Sequence, residues 1–304
     1  MHDPWTLYWQ ADRLDSAEAI HSADDAAAIH TFWRSLAAAT RAGGKVIDLA
    51  TGNGTVPSAL LDANPDLVVT GVDMADIDPV RFLSEPGTLA SVDFRGSVDI
   101  CSLPFDDDSF DAATSQFGIE YTSLQQTVPE AVRVIVDGGV VQLLMHHASS
   151  EILGPAAARC GEMEALLADD GILQKLAVYV TDDTPVDDLE AAGAAHLAGD
   201  VTHTPGITGQ IFEGINQAIG LVTANNRQGA RQLFETMQMR LAADRDRLLS
   251  LQGCALDKAG FDAVITLLEA NGMSTEAAGE LHGGAGSNDD FVVGWQYYGR
   301  KTRG

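Results

Sequence analysis

Between residues 44 and 147, short apolar runs alternate with stretches of helical period. Val46-Ile47-Asp48-Leu49-Ala50-Thr51 is the first apolar run, and it ends in Gly52-Asn53-Gly54. A helical stretch from Val56 to Ala63 follows, closed by Asn64-Pro65. Leu67 to Asp73 reads as a second strand, Val92 to Gly96 as a weaker third, and Phe110 to Phe117 as a fourth. A helix is expected from Leu124 to Val136, stopped by Asp137-Gly138-Gly139, and Val140 to Met145 is the fifth strand. Strands and helices alternating at this short spacing predict a parallel sheet with crossover helices.

The flanks differ. The first forty residues carry apolar positions at helical spacing (Ile29, Phe32-Trp33, Leu36) and stop at Gly43-Gly44. From 151 to 254 the alternation gives way to helical pattern, broken at Thr184-Pro185 and Thr204-Pro205-Gly206. Asp257 to Asn271 reads as one more helix, with Gly272 at its C-terminal stop. Phe291 to Arg300 is a strand that Met273 to His282 can pair with, joined through the glycine-rich segment 283–288. The expected organisation is a helical lid (1–43), an α/β core (44–150), a helical cap or substrate region (151–254), and a final helix and strands completing the core (255–304).

Charge narrows the partners. There are 44 acidic and 18 basic side chains, a formal net charge of −26. Phosphate backbones demand clustered Lys and Arg, so no nucleic-acid partner is expected, and anionic membranes would be repelled. Cys101, Cys160 and Cys254 are dispersed, which suggests neither a zinc ribbon nor a disulfide framework. The opening residues MHDPWTLYWQ lack the basic and apolar regions of a signal peptide, and no apolar run reaches the length of a membrane span. A cytoplasmic protein is the expectation.

Glycine at the end of a first strand lets a ligand approach the backbone at a helix N-terminus. Gly52-Asn53-Gly54-Thr55-Val56-Pro57 fails as a dinucleotide fingerprint, because Pro57 stands where a small residue is needed. It fails as a phosphate loop because no Gly-Lys-Ser/Thr follows. Asp73 ends the second strand, where an acid can accept from both ribose hydroxyls, and Asp99 follows the third strand beside the same crevice. A sulfonium and an ammonium suit this acidic, lysine-poor crevice, and a pyrophosphate does not.

VIDLATGNGTV (46–56), VTGVDMAD (69–76), VDICSLPFDDDSFDAATSQFG (98–118) and EAVRVIVDGGVVQLLM (130–145) together resemble the class I S-adenosylmethionine-dependent methyltransferases. The ATGNG loop is similar to that of quinone-biosynthesis C-methyltransferases. The resemblance implies a Rossmann-like seven-stranded, mostly parallel sheet with an antiparallel last strand, here with a helical cap insertion. It implies methyl transfer from S-adenosylmethionine to a small molecule at O, C or N, leaving S-adenosylhomocysteine. By the same resemblance, Gly52 and Gly54 underlie the methionine part of the cofactor, and Asp48 orients its amino group. Asp73 holds the ribose, Met74 packs on the adenine, and Asp99 and Ile100 meet its edge. Gln116 and Phe117 border the transferring methyl. Ala50 stands where the family often has glycine, a change that costs little at a negative φ.

Acceptor chemistry is expected over strands four and five, from His146, His147, Glu120 and Tyr121. A histidine there can act as general base, and adjacent residues on a strand face opposite ways, so at most one of the pair faces the site. No metal is expected, since no third ligand stands at a fixed spacing. Trp5, Tyr8 and Trp9 read equally as an aromatic lid or as an anchor on the core. The block 151–254 reads either as a cap over a small-molecule pocket or as a homodimer surface. The competing functions are non-methyl chemistry on the same cofactor, a nicotinamide oxidoreductase, or a non-catalytic adenosylmethionine-binding protein.

Overall fold

The computed structural model describes residues 4–10, 13–14, 23–150, 153–182, 184–198, 207–283 and 292–302. Their strands are β1 (Lys45–Leu49), β2 (Val68–Val72), β3 (Asp93–Arg95), β4 (Phe110–Gln116), β5 (Ile135–Met145), β6 (Met273–His282) and β7 (Val292–Lys301). They form one sheet in the order β3-β2-β1-β4-β5-β7-β6. The strands from β1 to β5 pair in parallel, and β7 runs antiparallel to both β5 and β6. The order reverses direction between β1 and β4. Outside their carboxyl ends lies the crevice in which such sheets bind ligands.

The helices in chain order are α1 (Pro4–Trp9), α2 (Ala23–Ala39), α3 (Thr55–Ala63), α4 (Pro79–Phe82), α5 (Leu124–Arg133), α6 (Leu153–Leu167), α7 (Ile172–Thr181), α8 (Val186–Ala198), α9 (Ile207–Thr223), α10 (Arg227–Cys254) and α11 (Lys258–Ala270). The chain divides into two compact units, one of Met1–Leu153 with Leu251–Gly304 and one of Gly154–Ser250. In the first unit, α2 and α3 cover one face of the sheet. Ile29, Trp33 and Leu36 pack there with Val46, Leu60, Val69 and Leu144. On the other face α5 and α11 bring Val128, Val132, Phe261 and Leu268 onto Ile47, Leu49, Leu143 and Trp295. Burying both faces explains why β1, β2 and β5 read as continuous apolar runs.

In the second unit, α7 packs on α8 and α9. Arg227 donates to the carbonyls of Tyr179 and Asp182, and Arg231 to those of Val180 and Thr181. Two cations therefore satisfy the free carbonyls at the negative C-terminal end of α7. No helix among the described residues is long and apolar enough to cross a membrane.

Most expected elements form. α11 is capped by Asp257, whose side chain accepts from the Gly260 N–H, and Gly272 follows at φ 90°. The β6–β7 hairpin forms, although residues 284–288 of its connection lie outside the described residues. One boundary is corrected. α5 stops at Arg133, and Asp137-Gly138-Gly139 lies inside β5 as a bulge, where the partner of Phe110 is Ile135 and that of Ala112 is Val140. Val134 closes α5 in helical conformation, and Ile135, fully buried, has a β-branched side chain that favours the extended chain pairing with β4.

Candidate active site

The turn after β1 is held by backbone bonds, and both of its glycines are buried. Thr51 donates its N–H to Val72, and Gly54 donates its own to Thr51. Gly52 has φ 53°, and its N–H donates to Asp73 Oδ2 at 2.8 Å. Asp73 Oδ1 accepts from the Ala75 N–H at 2.9 Å. One carboxylate thus ties the first loop to the end of β2.

The N-terminal aromatic residues sit on this loop. A β-carbon on Gly52 would fall 2.4 Å from Cζ2 of Trp9, so only glycine lets the indole lie against the turn. Asn53 is fully buried, and its amide donates to the carbonyls of Trp9 and Arg13. Trp5 stacks on Trp9 at 6.1 Å and meets Tyr121 edge-on at 5.4 Å. Trp5 and Trp9 therefore bridge the glycine loop and the turn after β4.

Across the crevice, Gln116 Oε1 accepts from the buried Trp33 indole N–H at 2.6 Å, which leaves the amide NH₂ as the outward donor. Phe117 adopts φ 52° and donates its N–H to Leu144. Its ring lies 4.5 Å from that of His146. His146 is held by Glu120, whose Oε1 takes both the His146 backbone N–H and its Nδ1, each at 2.7 Å. His147 faces the other way. Its ring lies 4.3 Å from Trp295, its Nδ1 accepts from the Ser149 N–H, and its Nε2 is 3.4 Å from Glu280. The expected alternation appears, with His146 on the side of Phe117, Tyr121 and Glu120.

On the β2–β3 side, Met74 is 58% exposed and presents an apolar surface next to Asp73. Asp99 is exposed, and its Oδ1 accepts from the Cys101 N–H. Ile100 turns its side chain into the core beside Val72 and Leu103, so the apolar face expected of it points inward.

The family model of the ubiE/COQ5 methyltransferases matches residues 13–156. The chain is 34% identical over 122 residues to a ubiquinone/menaquinone biosynthesis C-methyltransferase of Paracoccus denitrificans, covering 38% of this chain and 49% of that one. It is 34% identical over 113 residues to a demethylmenaquinone methyltransferase of Clavibacter sepedonicus, covering 35% and 44%. The match thus spans about half the length of these relatives. A chain from the complex of the Haloferax volcanii Trm112 methyltransferase activator with a methyltransferase superposes over 100% of both chains, at 13% identity and a TM-score of 0.49. Residues 13–156 are thus similar to the ubiE/COQ5 methyltransferases, and the rest of the chain lies outside that match.

The crevice suits the charge of S-adenosylmethionine, the cofactor expected from the sequence. Asp48 is 1% exposed at the end of β1, with Oδ1 accepting from the Thr114 hydroxyl at 2.7 Å. Burial pushes its carboxyl up to about 7, the Thr114 hydroxyl offsets part of that, and the charge of Asp73 adds to it. A buried acid raised in this way is stabilised by an incoming cation, which fits a cofactor bearing a sulfonium and an ammonium.

Ala50 departs from the expectation of a cheap substitution. Its φ is +55°, in the left-handed region, where an L-residue costs roughly 1–2 kcal/mol. Ala50→Gly is expected to stabilise the protein by up to about 1 kcal/mol, since glycine's greater freedom in the unfolded chain returns part of the gain. A urea midpoint equal to or below that of the wild type would contradict this.

Several positioning contacts around this crevice escape a reading of the sequence. Arg133 donates to Glu130, to Asp107 and to the carbonyls of Leu103 and Phe105, while Glu130 Oε2 accepts from the Leu103 N–H. This clamp fixes the chain just after Asp99 and Ile100. Arg133 holds the Glu130 carboxyl below its ordinary value. The available signal was the i,i+3 spacing of the two residues on a predicted helix. Trp33 gave no local signal of its bond to Gln116, and Glu120, expected near the acceptor, gave none of its bond to His146.

Proposed function

We propose that this methyltransferase moves the methyl group of S-adenosylmethionine onto a hydroxyl-bearing small molecule of quinol type, at the ring carbon next to the hydroxyl. The observation that carries the reading is a crevice walled by buried carboxylates, Asp48 and Asp73, at the switch point of the sheet. The quinol class is supported by the names of the relatives that share residues 13–156.

When bound, the cofactor supplies an electrophilic methyl group on a positively charged sulfur. Asp48 receives its ammonium and Asp73 its ribose hydroxyls. Met74 lies under the adenine, and Asp99 with the backbone of Ile100 takes its edge. The methionine part would lie along the loop of Gly52 and Gly54 beside Trp9, and Gln116 presents its NH₂ to that end. Phe117 and Tyr121 line the acceptor side. His146 would accept the hydroxyl proton, so that charge develops on the ring carbon facing the methyl; once that carbon carries the methyl, its own hydrogen leaves as a proton to solvent and His146 returns its proton to the oxygen. Alignment of this kind is worth up to roughly 7–11 kcal/mol, and a positioned base adds about 10²–10⁴-fold. The reaction is assigned to the cytoplasm.

Calorimetry with S-adenosylmethionine, S-adenosylhomocysteine and NAD tests the assignment. Heat is expected with the first two and none with NAD. Absence of heat with both adenosyl compounds overturns the reading. Transfer of a radiolabelled methyl group to a short-chain demethylmenaquinol then tests the acceptor class.

A further inference from the structure

We infer that Glu120 is a positioning residue that fixes His146 in the Nδ1–H tautomer, leaving Nε2 as the basic atom toward the acceptor. The inference rests on the proposed function and deepens it. Glu120 follows Gly118 in the turn at residues 119–121, immediately after β4, and His146 stands one residue beyond β5. Parallel pairing of β4 with β5, in which Gln116 faces Leu144, brings the two residues together across 26 positions of sequence.

The carboxylate grips the histidine at two points. Oε1 accepts from the backbone N–H and meets Nδ1, both at 2.7 Å. A carboxylate that already takes an N–H at Oε1 is an acceptor, so the proton of this second bond sits on Nδ1. Neutral imidazole carries a single ring proton, and Nε2 is then left with its lone pair. Nε2 makes no hydrogen bond among the described residues. The Glu120 side chain is wholly buried, whereas His146 keeps 6% of its side-chain surface open. The open end of the pair is therefore the imidazole. Phe117 at 4.5 Å and Tyr121 at 5.8 Å bound the ring and restrict its rotation.

Glu120 Oε2 is buried with no hydrogen-bond partner among the described residues. A glutamate retained only for stability would have both oxygens satisfied, because an unpaired buried acceptor costs free energy. What the carboxylate provides instead is a fixed tautomer and a counter-charge for the imidazolium formed when Nε2 takes a proton. Cys254 and Tyr121 also lie by this carboxylate. The charge of Glu120 adds to the burial that pushes the Cys254 thiol up, so the thiol stays neutral and does not compete for the proton.

The test uses the full chain as wild type, Glu120→Gln and Glu120→Leu, with three readouts. The first is the His146 tautomer by nitrogen-resolved NMR of histidine-labelled protein, assigned from a His146→Gln spectrum. The wild type is expected to show the Nδ1–H form, and Glu120→Leu the Nε2–H form. The second is methyl transfer to the short-chain demethylmenaquinol. Both variants are expected to lower kcat roughly 10–100-fold, the range seen when a histidine's orienting partner is removed. KM is expected to stay within about threefold. The third is calorimetric affinity for S-adenosylmethionine, expected within about twofold of the wild type in the isosteric Glu120→Gln protein, which also serves if Glu120→Leu fails to fold. An Nε2–H tautomer in the wild type, or an unchanged kcat in Glu120→Gln, overturns the inference. A wild type that neither binds the cofactor nor transfers methyl overturns the proposed function instead. The tautomer still decides on Glu120 in that event, because it requires no acceptor.

Discussion

Asp73→Ala is expected to lower the stability of the α/β unit by about 2–6 kcal/mol and to weaken S-adenosylmethionine binding by roughly 100-fold or more. The first effect follows from two buried donors. Asp73 accepts from the N–H groups of Gly52 and Ala75, and all three residues are buried. Alanine leaves both donors unsatisfied, at about 1–3 kcal/mol each. The second effect follows from the proposed role of the same carboxylate toward the ribose. Two charge-assisted hydrogen bonds would be lost, and each 1.4 kcal/mol is about tenfold in affinity. Asp73→Asn separates the two effects, since its remaining oxygen satisfies one backbone donor while its NH₂ faces the other. An intermediate loss of stability is expected. Urea unfolding and calorimetry check both variants, and an Asp73→Ala midpoint equal to the wild type would contradict the structural part.

Asp48→Asn is expected to have its largest effect through pH. The Asp48 carboxyl, raised by burial to about 7, holds its proton in the folded protein while the unfolded chain loses it near the ordinary value of 3.8. Its stabilising contribution is therefore complete below the unfolded value. It falls as pH rises through that window and is lost above the folded value. Each pH unit separating the two values is worth about 1.4 kcal/mol, so the loss is on the order of 4 kcal/mol. Glu130, held low by Arg133, runs in the opposite direction and is lost as pH falls. The Asp48 contribution is accordingly isolated as the difference between wild type and variant. Asp48→Asn is expected to be more stable than the wild type at pH 8 and to match it near pH 4. The cofactor's ammonium favours the ionised carboxylate, so wild-type affinity should rise with pH up to about 7 and binding should release protons. Calorimetry in buffers of different ionisation enthalpy reads that release, and the variant should show neither effect. A wild-type affinity independent of pH would remove Asp48 from the cationic site.

How much of this was visible in the sequence depended on how far apart the interacting residues lie. β1, its glycine turn, α3 and the acid after β2 are local patterns, and apolar period with turn chemistry placed them to within a residue or two. The β6–β7 hairpin was equally legible from its paired runs. The end of α5 was not. Its helical period continues past Val134, and only burial of Ile135 against β4 decides that the chain extends there. The sign of φ at Ala50 was hidden because alanine carries no signature of the left-handed region. Alternation along β5 required His146 and His147 to face opposite ways, but the facing direction is set by Trp295 and Glu120. Both are distant in sequence from the pair. The indole of Trp33 reaches Gln116 across 83 positions and Trp9 lies on Gly52. Contacts of this range are made by topology, which the chain reveals only once its strands are ordered.

The strained alanine has a neighbour that shares its fate. A β-carbon on Gly118 would lie 2.5 Å from the Ala50 methyl, so the space between the β1 and β4 turns holds one methyl group and not two. The two positions thus form a single unit of inheritance. Alanine at 118 becomes tolerable once glycine stands at 50, and the order in which the changes arise decides whether the intermediate folds. A lineage that fixed alanine at position 50 has closed position 118 to every side chain.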